Sequence, residues 1–399
     1  MPNIIDYLDW RGDLSMTVSE FNEVDNLILA QLSYVDFENI VPGIDSDESI
    51  SIKEASDLFF KVYNEYEIML EESVAKISVC LMKKMACCER FAKLRLSKYV
   101  NKVHYEEQKQ FSAIHIALED GTIYVAYRGT DDTLVGWKED FNMSFMTTIP
   151  AQVEAVNYLR ETTIDGKSKI RIGGHSKGGN LAVYAAVKCC LHIKENIIEV
   201  YNNDGPGFSR EMINSEEYRE IRSRIKTIVP QTSIVGMMLE HEEEYIVVAS
   251  KQKYIMQHYA MSWEVLGKQF VYVSGVTEGS KRIDAILKAW LNNMDTDERE
   301  RFVDSLFYIF EAADIKSPRD ISRDKWSKVA VMRKVISSMP IENRQVLFKT
   351  IRLLLNEGSK MFRYRNKQNE RSIGSKADFN KTFKNKSMLK GSKLKKDEL

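Results

Sequence analysis

The run Ile172-Gly173-Gly174-His175-Ser176-Lys177-Gly178-Gly179-Asn180 sets a serine between glycines as Gly174-x-Ser176-x-Gly178. A hydroxyl can act as a nucleophile when it stands exposed on a sharp strand-to-helix turn. Glycines two residues to either side remove side chains that would collide with the neighbouring strand and helix. The Lys177 amide would then sit at a helix N-terminus, where unsatisfied N–H groups and the helix dipole favour a developing oxyanion. A plain glycine-rich turn is the alternative, but a strand-like run before the motif and a small-residue helix after it favour the elbow. A second segment, Ile123-Tyr124-Val125-Ala126-Tyr127-Arg128-Gly129-Thr130-Asp131, reads as a strand ending in Arg-Gly-Thr, 46 residues before the serine. There Thr130 is placed to supply a second oxyanion donor.

These residues need a frame. Phe111–Leu118 and Ile123–Tyr127 are β-rich runs joined by a turn containing Asp120-Gly121, a good hairpin signal. Pro150 opens a helix to about Thr162, with Val153, Val156 and Leu159 on one side. A strand at Lys169–Ile172 leads into the glycines, and a helix runs from about Lys177 to Leu191. Further strands are expected at Ile197–Tyr201, Ile225–Val229, Tyr245–Ala249 and Phe270–Ser274. Strands alternating with helices predict a mostly parallel α/β sheet. Upstream, Phe21–Tyr34 reads as a short helix and Ser51 to about Cys88 as a longer helical stretch. After about Ser280 the apolar stripes are all helical, among them Phe302, Leu306, Ile309 and Phe310.

Together the Arg-Gly-Thr strand end and the Gly-His-Ser-x-Gly-Gly motif resemble the lipase class 3 family of α/β-hydrolases. Gln110-Phe111, Gly136-Trp137-Lys138-Glu139-Asp140-Phe141-Asn142 and Asn203-Asp204-Gly205-Pro206-Gly207-Phe208 resemble more closely a bacterial branch of that group. The resemblance covers most of residues 1–275. It implies an α/β-hydrolase-like, mostly parallel sheet flanked by helices. It also implies a carboxylic ester hydrolase of esterase or lipase type, and brings no particular substrate with it.

A serine nucleophile then requires an acid and a base later in the chain, in the order Ser, Asp or Glu, His. Three histidines follow Ser176. His192 ends the elbow helix, His241 lies in an acidic run, and His258 follows a strand and a loop, which leaves His258 as the base. The family's acid lies in an Asp-Ile-Val-Pro segment, where this chain has Gln231-Thr232-Ser233-Ile234-Val235-Gly236. Ser233 cannot carry the charge. Asp204, just past strand Ile197–Tyr201, is the candidate acid because strand C-terminal ends face the crevice in such sheets. Glu240 is the reserve, and a purely turn-forming Asp204 is the alternative. The expected site is therefore Ser176, His258 and Asp204, with Thr130 and Lys177 as the oxyanion hole. The missing family acid also motivates a second reading, a weak or inactive α/β-hydrolase-fold binding module. The Lys177 ammonium either flanks the site and favours anionic substrates or points to solvent. Asp131, Asp132 and Asp140 lack a His or Cys partner and predict no metal; no cofactor is expected.

The composition excludes other classes. The chain has 399 residues, 44% hydrophobic and 29% charged, ordinary for a globular protein. Its net charge of −1 hides an asymmetry. From Ser359 onward there are 13 Lys+Arg against 4 Asp+Glu, a net of +9, which leaves −10 for the body. Three parts are expected: a hydrolase domain over 1–279, a helical appendage over 280–358 and a basic, disordered tail over 359–399. Phe362, Phe379 and Phe383 punctuate the tail, a composition that suits contact with anionic lipid or RNA as well as a simple solvated extension. Five cysteines without a zinc or disulfide spacing point to reduced thiols in the cytoplasm. The N-terminus is acidic and not leader-like. The closing Lys396-Asp397-Glu398-Leu399 reads as a chance match to an ER address in a Lys-rich tail. No apolar run is long enough to span a membrane.

Overall fold

The computed structural model describes residues 2–70, 74–104, 106–131, 133–143, 146, 148–163, 168–315 and 325–356. The tail with its three phenylalanines, and Asp132, lie outside the described residues. Eight strands form one sheet in sequence order: β1 (Ile50–Ser51), β2 (Arg95–His104), β3 (Lys109–Ala117), β4 (Ile123–Tyr127), β5 (Ile170–His175), β6 (Ile197–Asn203), β7 (Ile225–Pro230) and β8 (Tyr245–Val248). Pairs from β1 to β4 are antiparallel and pairs from β4 to β8 are parallel. The expected mostly parallel sheet is therefore present, with an antiparallel edge.

Alternation along the strands splits the core in two. In β4, Tyr124 and Ala126 face one cluster while Val125 and Tyr127 face the other. The first face is covered by α1 (Ile4–Arg11), α2 (Glu23–Leu32), α3 (Ile52–Val62), α4 (Glu65–Leu70), α5 (Val74–Met85) and α6 (Glu89–Ala92), with most of its packing from α1, α2, α3 and α5. After α7 (Leu134–Asn142), described below, the second face is covered by the crossover helices. These are α8 (Pro150–Thr162), α9 (Lys177–Lys188), the short α10 (Leu191–Lys194), α11 (Arg210–Ile213) and α12 (Glu216–Ile221). Strands buried on both faces read as continuous apolar runs, which is why these were visible in sequence.

Two expectations need correction, and one strand was not foreseen. The stretch from Ser51 to Cys88 is not one helix: Tyr63 is extended at φ −107°, ψ 134°. The Asn64 side chain then accepts from Tyr66 N at 2.9 Å to start a new helix. Strand β2 had no clear period-two signal because its register shifts between Ser97 and Val100, with Lys98 at φ 54°. That bulge puts Leu96 and Tyr99, three residues apart, on the same face. The strand expected at Phe270–Ser274 is only a two-residue arm, Gln269–Phe270, paired with Val265–Leu266.

The C-terminal helices are α13 (Glu278–Asn292), α14 (Thr296–Ala312), α15 (Lys325–Ser338) and α16 (341–356). Their core of Phe302, Val303, Phe307, Ile309, Met339 and Leu347 is shared with Leu134 and Trp137 of α7. Among the described residues no helix is long and apolar enough to cross a membrane.

Candidate active site

Ser176 caps the end of β5 and starts α9 at φ 58°, ψ −132°. For a residue with a Cβ this costs about 1–3 kcal/mol and is held only by firm surroundings. The Ser176 amide donates to Asn203 O at 2.9 Å, and Ser176 O accepts from Gly179 N at 2.9 Å. The flanking glycines are dictated by contact. A Cβ on Gly174 would come 2.6 Å from Tyr127 O, and one on Gly178 would come 2.9 Å from Arg128 C and Gly129 N. The elbow is thus pressed against the strand end that carries Arg128-Gly129-Thr130. A Cβ on Gly129 would in turn lie 3.2 Å from the Ser176 Cβ.

Beneath the elbow lies a buried polar chain that sequence spacing did not expose. Asn203 Nδ2 donates to Gly174 O at 2.9 Å, and Asn26 Nδ2 donates to Asn203 Oδ1 at 2.9 Å. Tyr124 OH donates to Asn26 Oδ1 at 2.7 Å. Each group is fully buried and satisfied, the condition under which a polar core fixes one geometry.

His258 ends a 3-10 turn, Tyr254–His258, anchored by Gln257. Gln257 Oε1 accepts from Thr232 N at 2.7 Å, and Gln257 O accepts from Trp263 Nε1 at 2.9 Å. The His258 ring is about a quarter exposed, and its Nδ1 lies 2.7 Å from Asp204 Oδ2. Because the carboxylate accepts, Nδ1 carries a proton, and in the neutral ring Nε2 is then the nitrogen with the lone pair. The ring stacks on His175, centroids 4.7 Å apart. His175 Nε2 donates to His258 O at 2.8 Å. Burial, reinforced by the neighbouring His258, pushes His175 down to about 3, so it stays neutral. Its position immediately before Ser176 was the available clue to this supporting role.

Asp204 is wholly buried at the end of β6 with φ 53°. Its Oδ1 accepts from Ser233 Oγ at 2.5 Å and from Gly236 N at 3.2 Å. Ser233, standing where the resembling family has its acid, thus donates a hydrogen bond to a carboxylate on the neighbouring strand. Glu240 instead pairs with Arg210 at 3.4 Å and Lys288 at 3.7 Å. His241 is not on an exposed acidic run: its Nδ1 lies 3.1 Å from the buried Glu243. Burial pulls Glu243 up, but His241, Thr227 and Tyr218 outweigh it and hold the carboxyl at about 2.

Thr130 Oγ1 donates to Asp140 Oδ1 at 2.7 Å. Lost solvation pushes Asp140 up to about 6, against the pull of Lys177 and the Thr130 hydrogen bond. The Lys177 side chain neither flanks the site nor reaches solvent. It is buried, with Nζ donating to Glu139 Oε2 at 2.8 Å and to Gln110 O at 3.1 Å. Both expectations for its ammonium are overturned: a cation on the first turn of α9 is drawn inward by a buried carboxylate. Asp131 accepts from Thr133 N at 2.8 Å, closing the turn into α7.

A mostly parallel sheet, a strained serine at the end of β5, a carboxylate at the end of β6 and a histidine in the turn that follows β8 describe an α/β-hydrolase-like fold. The chain belongs to the Mbeg1-like family, whose model matches residues 85–308. No curated protein matches it. Similar solved structures include Rhizomucor miehei lipase in complex with its propeptide, 13% identical, covering 54% of this chain and 83% of that one, TM-score 0.33. M37 lipase is 17% identical, covering 54% and 69%, TM-score 0.33. Superpositions this loose say nothing about chemistry.

Proposed function

We propose that the protein is a serine hydrolase of carboxylic esters, acting on a small-molecule or lipid ester. The observation that carries this is the His258 Nδ1–Asp204 Oδ2 hydrogen bond of 2.7 Å, on a ring stacked against His175, the residue before the strained Ser176. In this reading Ser176 Oγ attacks the acyl carbonyl as His258 Nε2 takes its proton. The amides of Lys177 and Thr130 hold the oxyanion, a term worth roughly 10²–10³ in rate per donor. Collapse expels the alkoxide, which receives the proton from His258. Water activated by the same ring then releases the acid and regenerates the serine. Asp204 keeps Nδ1 protonated and stabilises the imidazolium. The five free thiols suit a cytoplasmic setting.

A fluorophosphonate probe tests this directly. It should label the wild type and release of p-nitrophenol from short acyl esters should accompany it, while Ser176→Ala shows neither. Equal labelling of wild type and variant would refute the assignment.

A further inference from the structure

We propose, on the basis of that hydrolase reading, that the C-terminal helices α13 and α14 are a positioning brace for the active site, gripping it at two points. The first grip is on α7. Leu134, Trp137, Lys138 and Phe141 recur at helical spacing on one face, and that face meets the appendage. Phe141 lies edge-on to Phe307 with centroids 5.7 Å apart, and Lys138 pairs with Asp304 at 2.8 Å. Leu134 and Trp137 pack into the cluster built on Phe302, Val303 and Phe307. The opposite side of α7 presents two consecutive carboxylates. Glu139 holds the Lys177 ammonium and Asp140 holds the Thr130 hydroxyl. Lys177 and Thr130 are the two residues whose amides form the oxyanion hole. One helix therefore sets the spacing of both donors, with α14 behind it.

The second grip is on the acid. Ser280, fully buried in the first turn of α13, donates from Oγ to Ser233 O. Thr277, the cap of that helix, donates from N to Gln231 O at 2.7 Å. Ser233 in turn donates to Asp204, so α13 fixes the residue that fixes the acid. Glu139 also accepts from Gln110 N at 3.2 Å and Ala151 N at 3.0 Å, which tethers α7 to the sheet even if α14 loosens. Loss of the brace should accordingly misplace the donors without unfolding the sheet, and an error of about 1 Å in such a site can cost on the order of 10²-fold in rate.

The test uses the full chain with Phe307→Ala, Asp304→Lys and, as a control for truncation of a surface side chain, Tyr308→Ala, which is mostly exposed one turn beyond Asp304. Fluorophosphonate inactivation is resolved into its maximal rate and its half-saturation constant, and amide exchange is followed over residues 128–142. Phe307→Ala should lower the maximal rate at least about tenfold with half-saturation unchanged and speed exchange in α7, while Tyr308→Ala matches wild type. Asp304→Lys should act in the same direction and serves if Phe307→Ala does not fold. Faster exchange in α7 with a wild-type inactivation rate would overturn the proposal, as would unchanged exchange. If the wild type is inert to the probe, the hydrolase reading has failed, and the exchange data alone decide whether α14 braces α7.

Discussion

At Asp204 both carboxylate oxygens have work: Oδ2 meets His258, and Oδ1 accepts from Ser233 and Gly236. The two functions can be separated. Asp204→Asn presents an amide to Nδ1 and disrupts the tautomer that leaves Nε2 free, so turnover of a p-nitrophenyl ester should fall by roughly 10³–10⁴. Ser233→Ala removes one donor to a charged group, a loss of about 1.5–3 kcal/mol in stability, and should lower turnover far less than Asp204→Asn, because the Gly236 amide still holds Oδ1. Steady-state kinetics with urea melts on both variants would tell them apart; equal kinetic losses would sink the division. The strained turn at Ser176 and the pairing of His258 with Asp204 could be expected from motif and chain order. Glu139, Asn26 and the inward turn of Lys177 could not, because each acts through a partner far away in sequence that no local spacing announces.

At the level of elements, the contact between the elbow and the end of β4 is backbone against backbone. Gly178→Ala would drive a Cβ toward Arg128 C and Gly129 N, neither of which can swing aside. It should destabilise the protein by about 1–3 kcal/mol or more and disturb the very segment that bears Thr130, so melting temperature and probe labelling should fall together. A variant melting like the wild type would contradict the packing described. The strands from β3 to β7 were legible as apolar runs, and α8 and α9 by their periodicity and proline or glycine starts. Strand β2 was hidden by its bulge, and the break after α3 by an apolar stripe that continues past Asn64.

For the whole molecule, two histidines buried in the body bear on acid stability. Burial holds both His115 and His175 down at about 3. Each is neutral in the fold but takes a proton when unfolded below about 6.5. The unfolded chain therefore binds more protons between 6.5 and 3, so stability present above 6.5 is lost as pH falls through that window. His115 lies on β3 with Nε2 3.0 Å from Thr162 Oγ1, away from the serine. Replacing it by Gln should flatten the decline by about 1.4 kcal/mol per pH unit between pH 6 and 4. Urea midpoints at several pH values measure this, and identical slopes for wild type and His115→Gln would reject it.

The Asn26–Asn203 hydrogen bond spans 177 residues. A ribosome releases α2 long before β6 exists to receive it, and contacts of such separation are slow to close. The nascent chain therefore carries its serine in an unsealed cradle until the C-terminal half of the sheet has been made. Closure of the cradle beneath Ser176 is timed by the synthesis of β6, not by that of the elbow that precedes it.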